Sequence, residues 1–242
     1  MAVVNFVLQG KGGVGKSLVS ALVAQYITEK GSPLMCVDTD PVNATFAQYS
    51  AFDVDRLEIM DGTKINERNF DGLMEKILTN DTDDLQIIID NGASSFVPLS
   101  SYLVENGAIE MLADMGHEVI IHTVVTGGQA LLDTLQGFSS LATQFSDKAR
   151  LVVWLNEYYG PIEQDGKGFE SMKVYKDNKA RIAGLMTIKQ QNQDTFGKDM
   201  EVMLNGKLTF DQAIESSDFQ LMAKQRLKMM KKDLMGQMAL AL

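Results

Sequence analysis

The feature that most narrows what this chain can fold into is the octapeptide Gly10-Lys11-Gly12-Gly13-Val14-Gly15-Lys16-Ser17. It sits between an apolar run at 3–9 (VVNFVLQ) and a helix-patterned stretch that begins at Leu18. The segment fits G-x-x-x-x-G-K-[ST], and its flanks supply the strand–loop–helix context that this motif demands. Glycines at this spacing let successive backbone N–H groups curl around phosphate oxygens, and the positive end of the following helix is directed at the same place. Lys16 brings a charge to the β- and γ-phosphates, and the Ser17 hydroxyl is suited to ligate Mg²⁺.

The rest of the chain repeats the same alternation. Candidate strands lie at 34–38 (LMCVD), 85–90 (LQIIID), 118–125 (EVIIHTVV), 150–156 (RLVVWLN) and 181–188 (RIAGLMTI). Helical spacing covers 17–30, 69–79, 98–115, 129–145 and 170–178. Several strand segments are nearly continuous hydrophobics, the pattern of strands covered on both faces. Together they predict an α/β fold, a doubly wound and mainly parallel sheet with helices on both faces, as in P-loop NTPases. No Pro/Gly/Ser linker or internal repeat divides the chain, so 1–242 is read as one nucleotide-binding domain. The segment 159–168 (YGPIEQDGKG) reads as a mobile surface loop.

Ligands of such sheets bind beyond the carboxyl ends of the strands, so the residues there are the candidates for chemistry. The second strand ends in Asp38-Thr39-Asp40-Pro41 and continues Val42-Asn43-Ala44-Thr45; the third ends in Asp90, followed by Asn91-Gly92-Ala93-Ser94. The strand at 150–156 closes on Asn156. Taken alone, Asp-Thr-Asp-Pro is also a turn and N-cap pattern, and Asn156 is also a common strand-end residue.

The form Lys-Gly-Gly-Val-Gly-Lys-Ser, with its extra Lys11, resembles the deviant Walker A loop of the ParA/MinD family of dimerising ATPases. The resemblance runs from residue 3 to about 156 and includes Thr126-Gly127-Gly128-Gln129-Ala130-Leu131-Leu132-Asp133, a segment read as architectural. It implies ATP and Mg²⁺ as cofactors and a homodimer formed on ATP binding, with Lys11 reaching the partner's phosphates. It also implies that Asp40 orients the attacking water, that Asp38 and Asp90 with Ser17 serve the Mg²⁺ shell, and that Asn156 reads adenine. Two departures stand out. The segment between Pro41 and Asn43 is one residue shorter than the family pattern, and Asn91-Gly92-Ala93-Ser94 replaces the usual Asp-Thr-Pro. Within the family the chain resembles plasmid-stability and conjugal-transfer ATPases of the StbB/TraL type. That implies a switch for plasmid partition or conjugation working with a DNA-binding adaptor protein.

Charge is where composition matters. Lys plus Arg number 22 and Asp plus Glu 32, a net charge of −10 that repels nucleic acid and anionic lipid. Residues 219–242 run against this trend, with Lys224, Arg226, Lys228, Lys231 and Lys232 against Asp233 alone, for +4. A helix expected at about 218–240 carries the apolar stripe Phe219, Ala223, Leu227, Met230, Leu234, Met238 and Ala241. Three readings stay open for it: packing on the sheet, local contact with DNA or a partner through its basic residues, or a MinD-like membrane helix. A lone Cys36 excludes an intrachain disulfide and a four-cysteine cluster. His117 and His122 have no ligand-like spacing and read as packing or capping residues. No signal peptide or membrane span is evident, so a cytoplasmic location is expected, with nucleoid or inner-membrane association open. The rival from another class is a metabolic ATP-dependent ligase or carboxylase on the same fold.

Overall fold

Strands rich in Val, Ile and Leu on both pleat faces need cover on both sides, and the chain provides it. The computed structural model describes residues 1–242. Its sheet comprises β1 (Ala2–Val7), β2 (Leu34–Asp38), β3 (Val54–Arg56), β4 (Leu85–Asp90), β5 (Glu118–Thr126), β6 (Ala149–Asn156) and β7 (Ile182–Ile188). The seven strands are ordered β7-β6-β5-β1-β4-β2-β3, and every neighbouring pair is parallel. The doubly wound parallel sheet expected from sequence is therefore present.

Period-two alternation divides the core. Val4 and Phe6 of β1, Ile87 and Ile89 of β4, and Leu151 and Val153 of β6 face one apolar layer. That layer also takes buried residues of α2 (Asp71–Leu78), α3 (Phe96–Glu105), α4 (Ala108–Asp114) and α5 (Leu131–Gln144). Val7, Ile88, Val152 and Trp154 face the other layer, with α1 (Lys16–Lys30) and, after a short α6 (Lys173–Asn178), with α7 (Lys198–Asn205), α8 (Phe210–Glu215) and α9 (Leu221–Ala241).

Several expectations need correction. The first strand ends at Val7, not residue 9, because the chain then turns into the glycine loop. β3 was not expected; it is a three-residue edge strand, Val-Asp-Arg, too short and polar to leave a periodic signal. The helix expected over 98–115 is two helices, broken at Asn106-Gly107, where Gly107 adopts φ 57° and the Asn106 side chain donates to the Tyr102 carbonyl. α7 and α8 were also unassigned. The 159–168 segment is anchored rather than a plain surface loop: Ile162 is buried, and Glu163–Gln164 pairs with Lys167–Gly168 as a small hairpin.

The apolar stripe of the C-terminal helix packs on the sheet. Ala223, Leu227, Met230, Leu234 and Met238 are all buried in the α1 layer, and Phe219 anchors the entry to the helix. α9 covers the β7 edge of the sheet closely. A Cβ on Gly184 would come within 2.9 Å of Ala241, and Gln237 both accepts from the Thr187 N–H at 2.7 Å and donates to its carbonyl at 3.1 Å. The stripe is thus occupied by the protein's own core. No helix is long and apolar enough to cross a membrane.

Candidate functional site

The glycine loop leaves β1 at the centre of the sheet and enters α1. Gly13 and Gly15 hold φ +75° and +106°, a region that penalises any side chain. At Gly15 a Cβ would also approach Asn156 Nδ2 to 2.8 Å. The loop is tethered from three sides. Gln9 Oε1 accepts from the Gly10 N–H at 2.9 Å, while its amide donates to the carbonyls of Val124 (2.9 Å) and Thr134 (3.1 Å). Asn156 Nδ2 donates to the Val14 carbonyl at 2.9 Å, and Tyr159 Oη donates to the Gly13 carbonyl at 3.1 Å. No side chain caps α1, so its first N–H groups present their positive end at the loop.

Charged groups converge beneath that loop. Lys16 is buried and its ammonium donates to the Lys11 carbonyl at 2.9 Å; burial lowers its pKa, opposed by Asp90 and Asp40 nearby. Asp90 is buried on the end of β4, accepting from Ser17 Oγ at 2.6 Å and from Ser20 Oγ at 2.7 Å. Burial pushes the Asp90 carboxyl up to about 7, with the two serine hydroxyls and Lys16 pulling the other way. Asp38, on the end of β2, is also raised by burial, although its oxygens accept from the N–H groups of Asp40 (2.9 Å) and Ala47 (3.0 Å).

Asp40 holds the tip of the next loop, accepting from the N–H groups of Val42 at 2.9 Å and Asn43 at 3.2 Å. Gly92 packs against it so closely that a Cβ there would meet the Asp40 carboxyl carbon at 2.6 Å. The two loops are also stitched by Asn91 Oδ1, which accepts from Thr39 Oγ1 at 3.2 Å and Ser95 Oγ at 2.6 Å. Ser95 Oγ also donates to the Thr39 carbonyl at 3.1 Å, so the two loops are joined by hydrogen bonds.

Lys11 does not stand free: its ammonium pairs with Asp133 of α5 at 2.7 Å, both side chains about half exposed. A residue read as architectural thus meets the lysine expected to cross between subunits. Asn156 has both ends of its amide engaged, since its oxygen accepts from the Tyr158 N–H at 3.2 Å. In this geometry it braces the loop. Beside it opens a cavity of about 280 Å³, lined by Gly13, Gly15, Leu18, Tyr158, Tyr159 and Gln190 among others. Ser20, Gln9 and Tyr159 carry no motif signal; only their placement identifies them, whereas Asp133 closes the segment read as architectural.

Ser17 and Asp90 together offer hard oxygen donors, the set a magnesium ion prefers. No three His, Cys, Asp or Glu side chains converge as a protein-only cage, so a cation here would complete its shell with water and phosphate oxygens. The glycine cradle, uncapped helix and buried lysine fit a polyphosphate on the same spot.

Residues 6–220 match the CobQ/CobB/MinD/ParA nucleotide binding domain. The chain belongs to that family. Two TraL proteins of Escherichia coli are 53% and 54% identical to it over 238 residues, 98% of each chain. Among solved structures, a chain of the MinC:MinD cell division protein complex of Aquifex aeolicus superposes with TM-score 0.53 at 15% identity, covering 97% of this chain and 96% of that one. MinD of Pyrococcus horikoshii, complexed with Mg-ADP, gives 0.52 at 16% identity with the same coverage. At such identities these structures establish a shared fold. The family membership extends the expected resemblance beyond residue 156, over most of the chain.

Proposed function

We propose that this protein is a Mg-ATP-dependent switch ATPase of plasmid transfer or maintenance, acting as one nucleotide-binding unit in the cytoplasm. The observation that carries this is the Ser17–Asp90 contact beneath an uncapped helix and a two-glycine left-handed loop. The TraL relatives support the plasmid context over the rival metabolic ligase or carboxylase.

In this proposal the loop N–H groups of residues 10–17 and the Lys16 ammonium hold the β- and γ-phosphates. Mg²⁺ held here would neutralise phosphate charge. Ser17 and Asp90 hold its shell, with Asp38 orienting the adjoining loop. Asp40 orients the attacking water, and its release from Val42 and Asn43 is what frees it to do so. The base occupies the cavity beside Tyr158 and Tyr159; Asn156, already donating to Val14, positions the loop that meets it. Lys11 exchanges Asp133 for the phosphates of a second copy, so that ATP joins two subunits and hydrolysis parts them. A DNA-binding adaptor protein of the same plasmid system is the proposed partner that stimulates turnover. Local DNA contact would fall to Lys224, Lys228 and Lys232, because Arg226 and Lys231 are held in ion pairs with Asp199, Asp211 and Glu29.

Light scattering tests the switch. Wild type with ATP and Mg²⁺ is expected at twice the monomer mass, Lys11→Ala at the monomer mass, and Asp40→Ala as a persistent dimer with turnover lost. A Lys11→Ala protein that dimerises like wild type contradicts the crossing lysine.

A further inference from the structure

The departure from the family pattern at Asn91-Gly92-Ala93-Ser94 lies directly against Asp40. Gly92 makes the contact: a Cβ there would stand 2.6 Å from the Asp40 carboxyl carbon and 2.7 Å from its Oδ1. One residue earlier, Asn91 is buried between the end of β4 and the start of α3. Its Oδ1 accepts from Ser95 Oγ at 2.6 Å and from Thr39 Oγ1 at 3.2 Å. A separation of 2.6 Å is ordinary for O–H···O and short for N–H···O. The amide oxygen therefore faces Ser95, and the nitrogen points away from it. Asn91 Nδ2 is enclosed and donates to no acceptor.

A buried donor without an acceptor is costly, and at the edge of a site it points to a second state that pairs it. The neighbouring carboxylates narrow the choice of acceptor. Both oxygens of Asp90 are taken by the hydroxyls of Ser17 and Ser20, and both of Asp38 by the N–H groups of Asp40 and Ala47. Asp40 is less committed. Its Oδ1 accepts from the Val42 and Asn43 N–H groups at the exposed loop tip, while Oδ2 has only a 3.4 Å contact from Asn43 Nδ2. Of the three carboxylates, Asp40 alone has an oxygen to spare, and Gly92 leaves it room beside Asn91.

We propose that Asn91 is a positioning residue for hydrolysis, its Nδ2 donating to the Asp40 carboxylate once that group leaves Val42 and Asn43. Held at Ser95 and Thr39 through its oxygen, the amide gives Asp40 one fixed donor in place of two on a loop tip. Asn91 thus acts through Asp40 and touches neither nucleotide nor water. This role rests on Asp40 orienting the attacking water at a bound ATP, as proposed above.

Single-turnover hydrolysis of ATP with Mg²⁺ by the full-length protein, with ATP affinity titrated separately, tests this. Asn91→Leu removes the donor at similar volume, and the Ser95 and Thr39 hydroxyls keep second acceptors in the carbonyls of Thr39 and Asp90. Its hydrolysis rate is expected to fall at least ~10-fold while ATP affinity stays within ~3-fold of wild type. The ATP-bound dimer should persist longer by the same factor as the rate falls. Asn91→Ala, the smaller truncation, should show the same split between rate and affinity. A rate within ~2-fold of wild type in both variants overturns the proposal. Rate and affinity lost together in both make Asn91 a structural brace, which overturns it equally. A wild type that binds ATP without hydrolysing it removes the Asp40 reading itself, a result distinct from either.

Discussion

Two groups of buried polar side chains lie on neighbouring strands of one sheet, and they solve burial in opposite ways. On β1, β5 and β6 the chain is neutral and closed: Trp154 Nε1 donates to His122 Nδ1 at 3.0 Å, His122 Nε2 donates to Asn5 Oδ1 at 3.1 Å, and Asn5 donates to the Ile87 carbonyl at 3.1 Å. The tryptophan fixes the histidine tautomer, and burial pushes the His122 pKa down to about 3. At the carboxyl ends of β1, β2 and β4 the groups are formal charges, one ammonium (Lys16) among the carboxylates of Asp38, Asp40 and Asp90. Burial there works against ionisation, lowering Lys16 and raising Asp38 and Asp90. A closed neutral network specifies a core, whereas a charge-imbalanced one is the mark of a site. The imbalance has the sign that a divalent cation corrects.

Lys16→Ala should change nucleotide binding most. ATP affinity should fall at least ~100-fold, as loss of a charge-assisted phosphate contact implies. An unchanged ATP affinity would make Lys16 a core residue instead of a phosphate contact. Next in size is His122→Leu, which leaves Asn5 Oδ1 and Trp154 Nε1 without partners. We expect a loss of ~2–4 kcal/mol in urea unfolding at pH 7, with ATP affinity unchanged within ~2-fold. The pH dependence follows in sign from the lowered histidine pKa. His122 is neutral in the folded state and must take up a proton on unfolding below its ordinary 6.5, so its contribution is lost as pH falls from 6.5 toward 3. That amounts to about 3 kcal/mol by pH 4, and the difference in unfolding free energy between wild type and His122→Leu should shrink accordingly.

Asp90→Asn sharpens the contrast further. The amide keeps an oxygen for Ser17 or Ser20 and removes a buried charge, so nucleotide-free stability should not fall, while the gain in ATP affinity on adding Mg²⁺ should shrink by ~10-fold or more. Isothermal titration with and without magnesium reads this directly. Smallest is Tyr159→Phe, which deletes one exposed hydrogen bond to the Gly13 carbonyl and should weaken ATP ~2–3-fold.

How much was legible in the sequence follows the same division. That the phosphate loop, Asp38, Asp40 and Asp90 converge is legible because they follow strand ends beside glycines, in an order along the chain. β2 and β4 were placed to the residue because they are continuous apolar runs. The edge strand β3 and the break at Gly107 were not, since each is set by tertiary contacts over a few polar residues. The Lys11–Asp133 pair was invisible because its members lie 122 positions apart. His122 was rightly read as packing, yet its Trp154 and Asn5 partners come from cross-strand register, which no single segment encodes.

Residues 10–17 are proposed to wrap a nucleotide triphosphate, with magnesium held at Ser17 and Asp90. Isothermal titration of the purified full-length protein with ATP, in magnesium and in EDTA, tests it most directly. Saturable binding that is at least ~10-fold tighter with magnesium is the predicted result; heats indistinguishable from dilution in both conditions would contradict it.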